Sequence, residues 1–191
     1  MRSIVLAFLF VLANLSFAQT GHLSFKGIPI DGHITSFVSK MEASGFEKKA
    51  INDNGNCAIM TGIFAGKSCS IVVLATQKTC TVSKVIAITS EYVSWTSLKF
   101  DYESFKDLYV TKYGNPLKKY EFFGDPYYEG DGYELQALRK DKCFYASFFE
   151  TENGNIAIML SSDAKIKFVY EDKQNMEILV KEKKNKVLDE I

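Results

Sequence analysis

Residues 57–89 read CAIMTGIFAGKSCSIVVLATQKTCTVSKVIAIT, and this stretch decides the fold. Three runs rich in Val, Ile and Thr are separated by two short polar segments, Gly66-Lys67-Ser68 and Gln77-Lys78-Thr79. β-branched residues favour strands, and connections this short can join only antiparallel neighbours. The stretch therefore predicts three consecutive strands of an antiparallel meander.

Amphipathic helices are predicted on both sides of this meander. The first follows a short predicted strand over residues 22–30, begins behind Asp31 as N-cap and ends at Gly45; the second ends at Gly114-Asn115-Pro116. Each has apolar residues at helical spacing, which indicates a single face packed on a sheet. These residues are Ile34, Phe37, Val38 and Met41 in the first helix, and Trp95, Leu98, Tyr102, Phe105, Tyr109 and Tyr113 in the second.

Further strands are predicted after the second helix, in the runs KYEFF, YELQALR, CFYASFFE, NIAIMLS and KIKFVYE. A helix followed by a meander thus occurs twice, and a basic turn precedes both Cys69 and Cys143. We therefore expect an α+β protein built from two tandem repeats, residues 22–93 and 94–172, that form an antiparallel sheet with helices on one face. A charged C-terminal helix over residues 173–191 follows, either as a solvated helix or as a partner-binding tail.

The first eighteen residues predict a cleavable export signal. Arg2 precedes an apolar run from Ile4 to Leu15, and Ser16-Phe17-Ala18 has the small residues of a cleavage site. The run is shorter than the ~20 residues of a spanning helix, and no later run is longer. The sequence therefore predicts a periplasmic or secreted protein with no membrane span.

The charge balance and the motif content exclude several classes of function. Lys plus Arg equals Asp plus Glu at 23 each, so no net field favours a nucleic-acid partner. The sequence contains no P-loop, nucleophile elbow or dinucleotide fingerprint, and its only histidines are His22 and His33. We expect a non-catalytic protein with no cofactor.

Four cysteines follow the predicted signal. An even number in an oxidising compartment favours disulfides over free thiols, while the absence of a C-x-x-C pair argues against a metal site. Three pairings are possible. One hypothesis joins Cys57 with Cys80, which lie near the same end of the meander, and leaves Cys69 with Cys143 to connect the repeats.

A loop with the sequence FFGDPYYEGDGY, residues 122–133, is the candidate binding site. Rigid tyrosine rings beside carboxylates are typical of surfaces that contact a protein or a sugar; the residues are Tyr127, Tyr128, Glu129, Asp131 and Tyr133. Alternatively, it is a plain loop whose tyrosines fold back onto the sheet. The carboxylates of Asp125, Glu129 and Asp131 do not have the spacing of a calcium loop. Two of them could serve a glycan-acting hydrolase as acid and base.

Three segments, HLSFKGIPIDG from His22, KYGNP from Lys112 and YEDKQN from Tyr170, resemble small exported proteins of Bacteroidetes-type bacteria that have no assigned activity. The tandem plan is similar to the β-lactamase-inhibitor-protein type of architecture. That resemblance implies a curved sheet presented to a partner. We therefore expect a binding module that engages a protein partner through a free sheet face and the 122–133 loop, with the hydrolase as the alternative.

Overall fold

The structure is a computed structural model that describes residues 21–190, so the predicted signal lies outside the described residues. The helices are α1 (Ile34–Ala43), α2 (Trp95–Tyr113), α3 (Glu134–Arg139) and α4 (Lys173–Asp189). The strands of the first half are β1 (Ser24–Phe25), β2 (Ile28–Pro29), β3 (Glu47–Ile51), β4 (Cys57–Phe64), β5 (Lys67–Ala75) and β6 (Val82–Thr89). Those of the second half are β7 (Lys118–Phe123), β8 (Cys143–Thr151), β9 (Gly154–Ser161) and β10 (Lys165–Asp172).

The eight longer strands form one sheet in the order β3-β4-β5-β6-β10-β9-β8-β7. Every neighbouring pair is antiparallel, including β6 with β10 and β7 with β8, which are not joined by short connections. β1 and β2 form a separate hairpin. The predicted α+β class and its antiparallel sheet are therefore confirmed.

The two halves meet where β6 pairs with β10. Each half places a helix before four strands, and the strand order of the second half mirrors that of the first about this pair. Cys69 lies in the third of these strands in its half, whereas Cys143 lies in the second. Because the two cysteines lie in non-equivalent strands of their halves, the strand order does not support their equivalence. The sequence repeat stays a prediction.

Helices α1, α2 and α3 cover one face of the sheet, as predicted. The apolar stripe of α1 is fully buried, and Phe105 and Tyr109 of α2 pack on Phe168 of β10. The β1–β2 hairpin covers the same face, because Phe25 stacks on Phe64 at 4.8 Å. The core of the protein lies between this layer and the sheet.

Four local predictions were wrong. The run YELQALR, predicted as a strand, contains helix α3, because its Glu, Leu, Gln and Ala are good helix formers and none is β-branched. Strand β3 was missed, since its sequence EKKAI is mostly charged and exposed at the sheet edge. Residues 22–30 form a hairpin rather than one strand. The N-cap of α1 is His33, not Asp31.

Helix α4 begins at the end of β10. Its N-cap Asp172 is fully buried, accepts from the backbone N–H groups of Asn175 and Leu23, and contacts His22. The predicted C-terminal helix is thus confirmed, and beyond Glu182 its described residues are exposed. Among residues 21–190 no helix is both long and apolar enough to cross a membrane.

Candidate binding surface

The sheet face opposite α1–α3 carries a continuous apolar row across six strands. Cross-strand pairing aligns each member of the row with the next, from β4 at one end to β8 at the other. Residues on either side of each member point to the helical face, since side chains alternate along a strand. The row consists of Ile59, Val72, Ile86, Val169, Ala157 and Phe148. We call this side of the sheet the open face.

An aromatic cluster lies at one end of the open face, on β7 and β8. Tyr120 lies 5.8 Å from Phe144 and 6.1 Å from Phe148, and Phe122 lies 5.9 Å from Phe144, measured between ring centroids. Tyr120, Phe122 and Phe144 are 40%, 53% and 42% exposed. Rings this exposed have apolar area left to bury against another surface. Tyr120, Phe122, Phe144 and Phe148 form the aromatic cluster.

Helix α4 borders the open face at the ends of β9 and β10. Met176 and Val180 of α4, with Asn155 and Glu171 of the sheet, line a depression of about 480 Å³. Lys84 of β6 and Glu171 of β10, which face each other in the sheet, form an ion pair with an N–O distance of 2.5 Å. The open face is therefore apolar across its middle and charged along this border.

Residues 124–133 of the predicted loop lie on the opposite, helical side of the sheet, whereas Phe122 at its start belongs to β7 and to the open face. Tyr127 is half-buried against the core, whereas Tyr128 and Tyr133 are exposed. Glu129 pairs with Lys99 of α2 and accepts from the hydroxyl of Tyr145. The loop and the open face are thus two separate surfaces, and one flat partner surface cannot cover both.

The loop carboxylates have structural partners. Asp131 accepts from the backbone N–H groups of Tyr128 and Tyr133, which fixes the turn between them. Glu129 lies with Glu103 and Glu134 around a depression of about 420 Å³ beside α2. Asp125 is exposed. These contacts use Glu129 and Asp131 to hold the loop, and the hydrolase alternative gains no support from them.

A groove of about 1000 Å³ separates the β1–β2 hairpin from α2. Tyr109 and Tyr170 lie along it, with their hydroxyl oxygens 2.5 Å apart. Burial raises the pKa of both hydroxyls above the usual tyrosine value, so both are neutral and bond to each other. His22 and Lys112 line the same groove.

All four thiols are free, so neither predicted disulfide is present. The Cys69–Cys143 pairing is wrong for a geometric reason: three strands separate β5 from β8. At about 4.8 Å per neighbouring strand the two are roughly 19 Å apart, far beyond the ~7 Å that a disulfide can span. Burial, together with the charges of Glu129 and Glu134, raises the pKa of Cys143 to about 12. That thiol is therefore protonated and unreactive at neutral pH.

Within the described part of the chain, no three His, Cys, Asp or Glu residues are grouped so as to hold a metal ion. No family model, curated protein or solved structure matches this chain. The resemblances drawn from the sequence therefore stay predictions, and function must be argued from the surface itself.

Sequence reasoning predicted a free sheet face but missed the aromatic cluster on it. The signal was the alternation in KYEFF and CFYASFFE, which puts Tyr120 with Phe122, and Phe144 with Phe148, on one side of each strand. Their partners Phe123 and Tyr145 point to the helical face, where they pack on Trp95. Both faces of these strands are aromatic, so composition alone does not distinguish surface from core.

Proposed function

We propose that this protein is an exported, non-catalytic binding module whose open face engages a protein partner in the periplasm or outside the cell. The observation that carries the proposal is the apolar row from Ile59 to Phe148, continued by the aromatic cluster. An apolar row that extends across six of the eight strands of a sheet is typical of a protein interface.

The composition of the open face favours a protein over a sugar or a nucleic acid. Its rings are mainly phenylalanine, and its central row is made of Val, Ile and Ala side chains, with the polar Ser70 and Lys167 in the neighbouring row. A sugar needs hydrogen-bonding groups beside a ring, and a nucleic acid needs a field of unpaired cations. Of the lysines on this face, Lys84 and Lys165 are paired with carboxylates, while Lys118 on β7 and Lys167 on β10 have no such pair among residues 21–190 and have two strands between them. An apolar protein surface fits these side chains best.

The test compares three variants, each with two side chains truncated to alanine. We expect Phe122→Ala with Phe144→Ala to weaken partner binding at least ~10-fold, because truncating a buried aromatic anchor costs ~2 kcal/mol or more. The partner is first identified by a photo-crosslinking residue at position 144 in the native envelope or secreted fraction, then purified. Affinities are measured by titration calorimetry.

The matched control is Phe100→Ala with Leu108→Ala on α2, whose side chains are 70% and 63% exposed on the helical side. This variant should bind normally. Tyr127→Ala with Tyr128→Ala tests the predicted loop separately, and a loss confined to it would move the interface to that loop. Equal affinity of all three variants and the wild type would contradict the proposal.

A further inference from the structure

The two edges of the sheet differ in how they are protected. At one edge, β3 carries Lys48 and Lys49, and its pairing with β4 is interrupted by a bulge between Lys48 and Ala50. Bulges and lysines are the usual protection of an edge strand against further pairing. At the other edge, β7 pairs with β8 in an uninterrupted register and exposes Tyr120 and Phe122. β7 also carries two lysines, Lys118 and Lys119, so the bulge is what distinguishes the edges, and of the two only β7 is an uninterrupted edge strand.

Alternation fixes which backbone groups of β7 point away from the sheet. The N–H of Gly124 donates to the carbonyl of Lys142, which faces it in the ladder with β8. Backbone groups of successive residues point to opposite sides of a strand, so those of Phe122 and Tyr120 also face β8. The N–H and C=O groups of Lys119, Glu121 and Phe123 therefore point outward, available to another strand.

The charged side chains of β7 are complementary to those of a second, antiparallel copy of the same strand. A second β7, related by a two-fold axis, must pair outward-facing residues with outward-facing residues. With Tyr120 opposite its own copy, Lys119 of each chain faces Glu121 of the other, which within its own chain also pairs with Lys106 at 2.7 Å and with Lys119 at 3.2 Å. Shifting the register by two residues sets either Lys119 against Lys119 or Glu121 against Glu121, and like charges directly opposite are destabilising. The charges thus select a single register.

We propose that two copies of this chain pair through antiparallel β7 strands, with Tyr120 on the two-fold axis. The two Lys119–Glu121 pairs each exchange both backbone hydrogen bonds, and the facing Tyr120 rings join the two aromatic clusters. On the open face, Lys118 of one chain lies opposite Phe122 of the other, as in a cation–π contact. The dimer extends the open face from one sheet into the next, and it uses Tyr120 and Phe122 of the aromatic cluster on which the proposed partner interface also rests.

A head-to-tail alternative, β7 of one chain on β3 of the next, would generate an open filament rather than a closed dimer. The bulge of β3 opposes it. Because strand pairing alone buries a small area, we expect a dissociation constant on the order of micromolar or weaker. Sedimentation across a range of protein concentrations measures it.

The decisive experiment uses charge exchange. Lys119→Glu alone sets four carboxylates in the interface, and Glu121→Lys alone sets four ammonium groups there, so each variant should be monomeric. An equimolar mixture of the two restores Lys opposite Glu at both pairs and should form a heterodimer with wild-type affinity. A general loss of stability cannot produce this rescue by mixing.

Tyr120→Lys supplies a second variant, since its side chain is exposed and like charges would meet on the axis. It should be folded and monomeric, while Ile63→Lys on β4, at a residue that is 59% exposed, should dimerise normally. A wild type that stays monomeric up to roughly 1 mM, where even a millimolar complex would be half-formed, overturns the proposal. So does a Tyr120→Lys variant that dimerises like the wild type, or a mixture that stays monomeric.

Discussion

Asp101 on α2, in the second half, is hydrogen-bonded to two residues of the first half. Its carboxylate accepts from Lys67 of β5, at 2.5 Å, and from the hydroxyl of Tyr92, at 2.6 Å. Partial burial disfavours the charged form, but the two hydrogen bonds outweigh it and hold the pKa of Asp101 below its ordinary value. The ionised form is therefore more stable in the folded chain than in the unfolded one.

Asp101→Asn should lower the free energy of unfolding by ~1–2 kcal/mol at pH 7, since a charge-assisted hydrogen bond is replaced by a neutral one. A lowered carboxyl pKa contributes stability above the unfolded value, and this contribution is lost as pH falls through the folded value. The difference between wild type and variant should thus begin to shrink below about pH 4 and disappear only once the pH is below the lowered pKa of the folded state. Urea titrations at several pH values measure it; a difference that does not change with pH would contradict the assignment.

At the scale of elements, one buried amide fastens α4 to the sheet. Asn175 is 2% exposed, and its side-chain nitrogen donates to the carbonyls of Ile30 and Val82, both at 2.9 Å. These carbonyls belong to the segment before α1 and to the start of β6. The amide therefore ties three segments that are far apart in sequence.

Asn175→Ala should destabilise the protein by ~2 kcal/mol, because two carbonyls lose their donor inside the fold. Gln174→Ala is the matched control: its amide donates to the carbonyl of Gly21 at the surface, so its loss should cost under ~0.5 kcal/mol. Hydrogen exchange of the α4 amides, together with urea denaturation, provides the measurement. Equal effects of the two variants would show that α4 is held elsewhere.

Elements whose apolar residues recur at a regular spacing were predictable from the sequence, and elements without such a spacing were not. Helices α1 and α2 were identified because Ile34 to Met41 and Trp95 to Tyr113 repeat at helical spacing over two turns or more. Helix α3 is six residues long, which is too short to show a period, and β3 is charged because it lies at an edge. Local pattern predicts an element when its apolar residues recur at a regular spacing, as they also do in α4, although Asn175 is the one buried residue among the described residues of that helix.

The candidate site was less predictable than the fold. The 122–133 loop was predicted as the binding site because its tyrosines and carboxylates lie between glycines. Contacts with residues distant in sequence, such as Lys99 with Glu129, hold the loop against α2 instead. The open face is assembled from six strands, and its row from Ile59 to Phe148 exists only after β6 pairs with β10. No single segment of sequence carries that information.

For the whole molecule, the joint between β6 and β10 makes both halves one sheet. Five residue pairs cross it, and beneath it Phe64 of the first half packs on Phe168 of the second at 5.2 Å. Neither half can open without exposing the core of the other. The chain should therefore unfold in one cooperative transition, despite its two-part plan.

Alkylation of two buried thiols tests whether the two halves unfold in one transition. Cys69 in the first half is 3% exposed and Cys143 in the second is 4% exposed, and burial raises the pKa of both. In pulse alkylation over a urea series, read by peptide mass spectrometry, both should become labelled at the same denaturant concentration, since both need global unfolding. Half-buried Cys57 and Cys80 serve as controls and should react at lower urea. Labelling of Cys143 well before Cys69 would mean that the second half opens alone, and the joint between β6 and β10 would then not couple the halves.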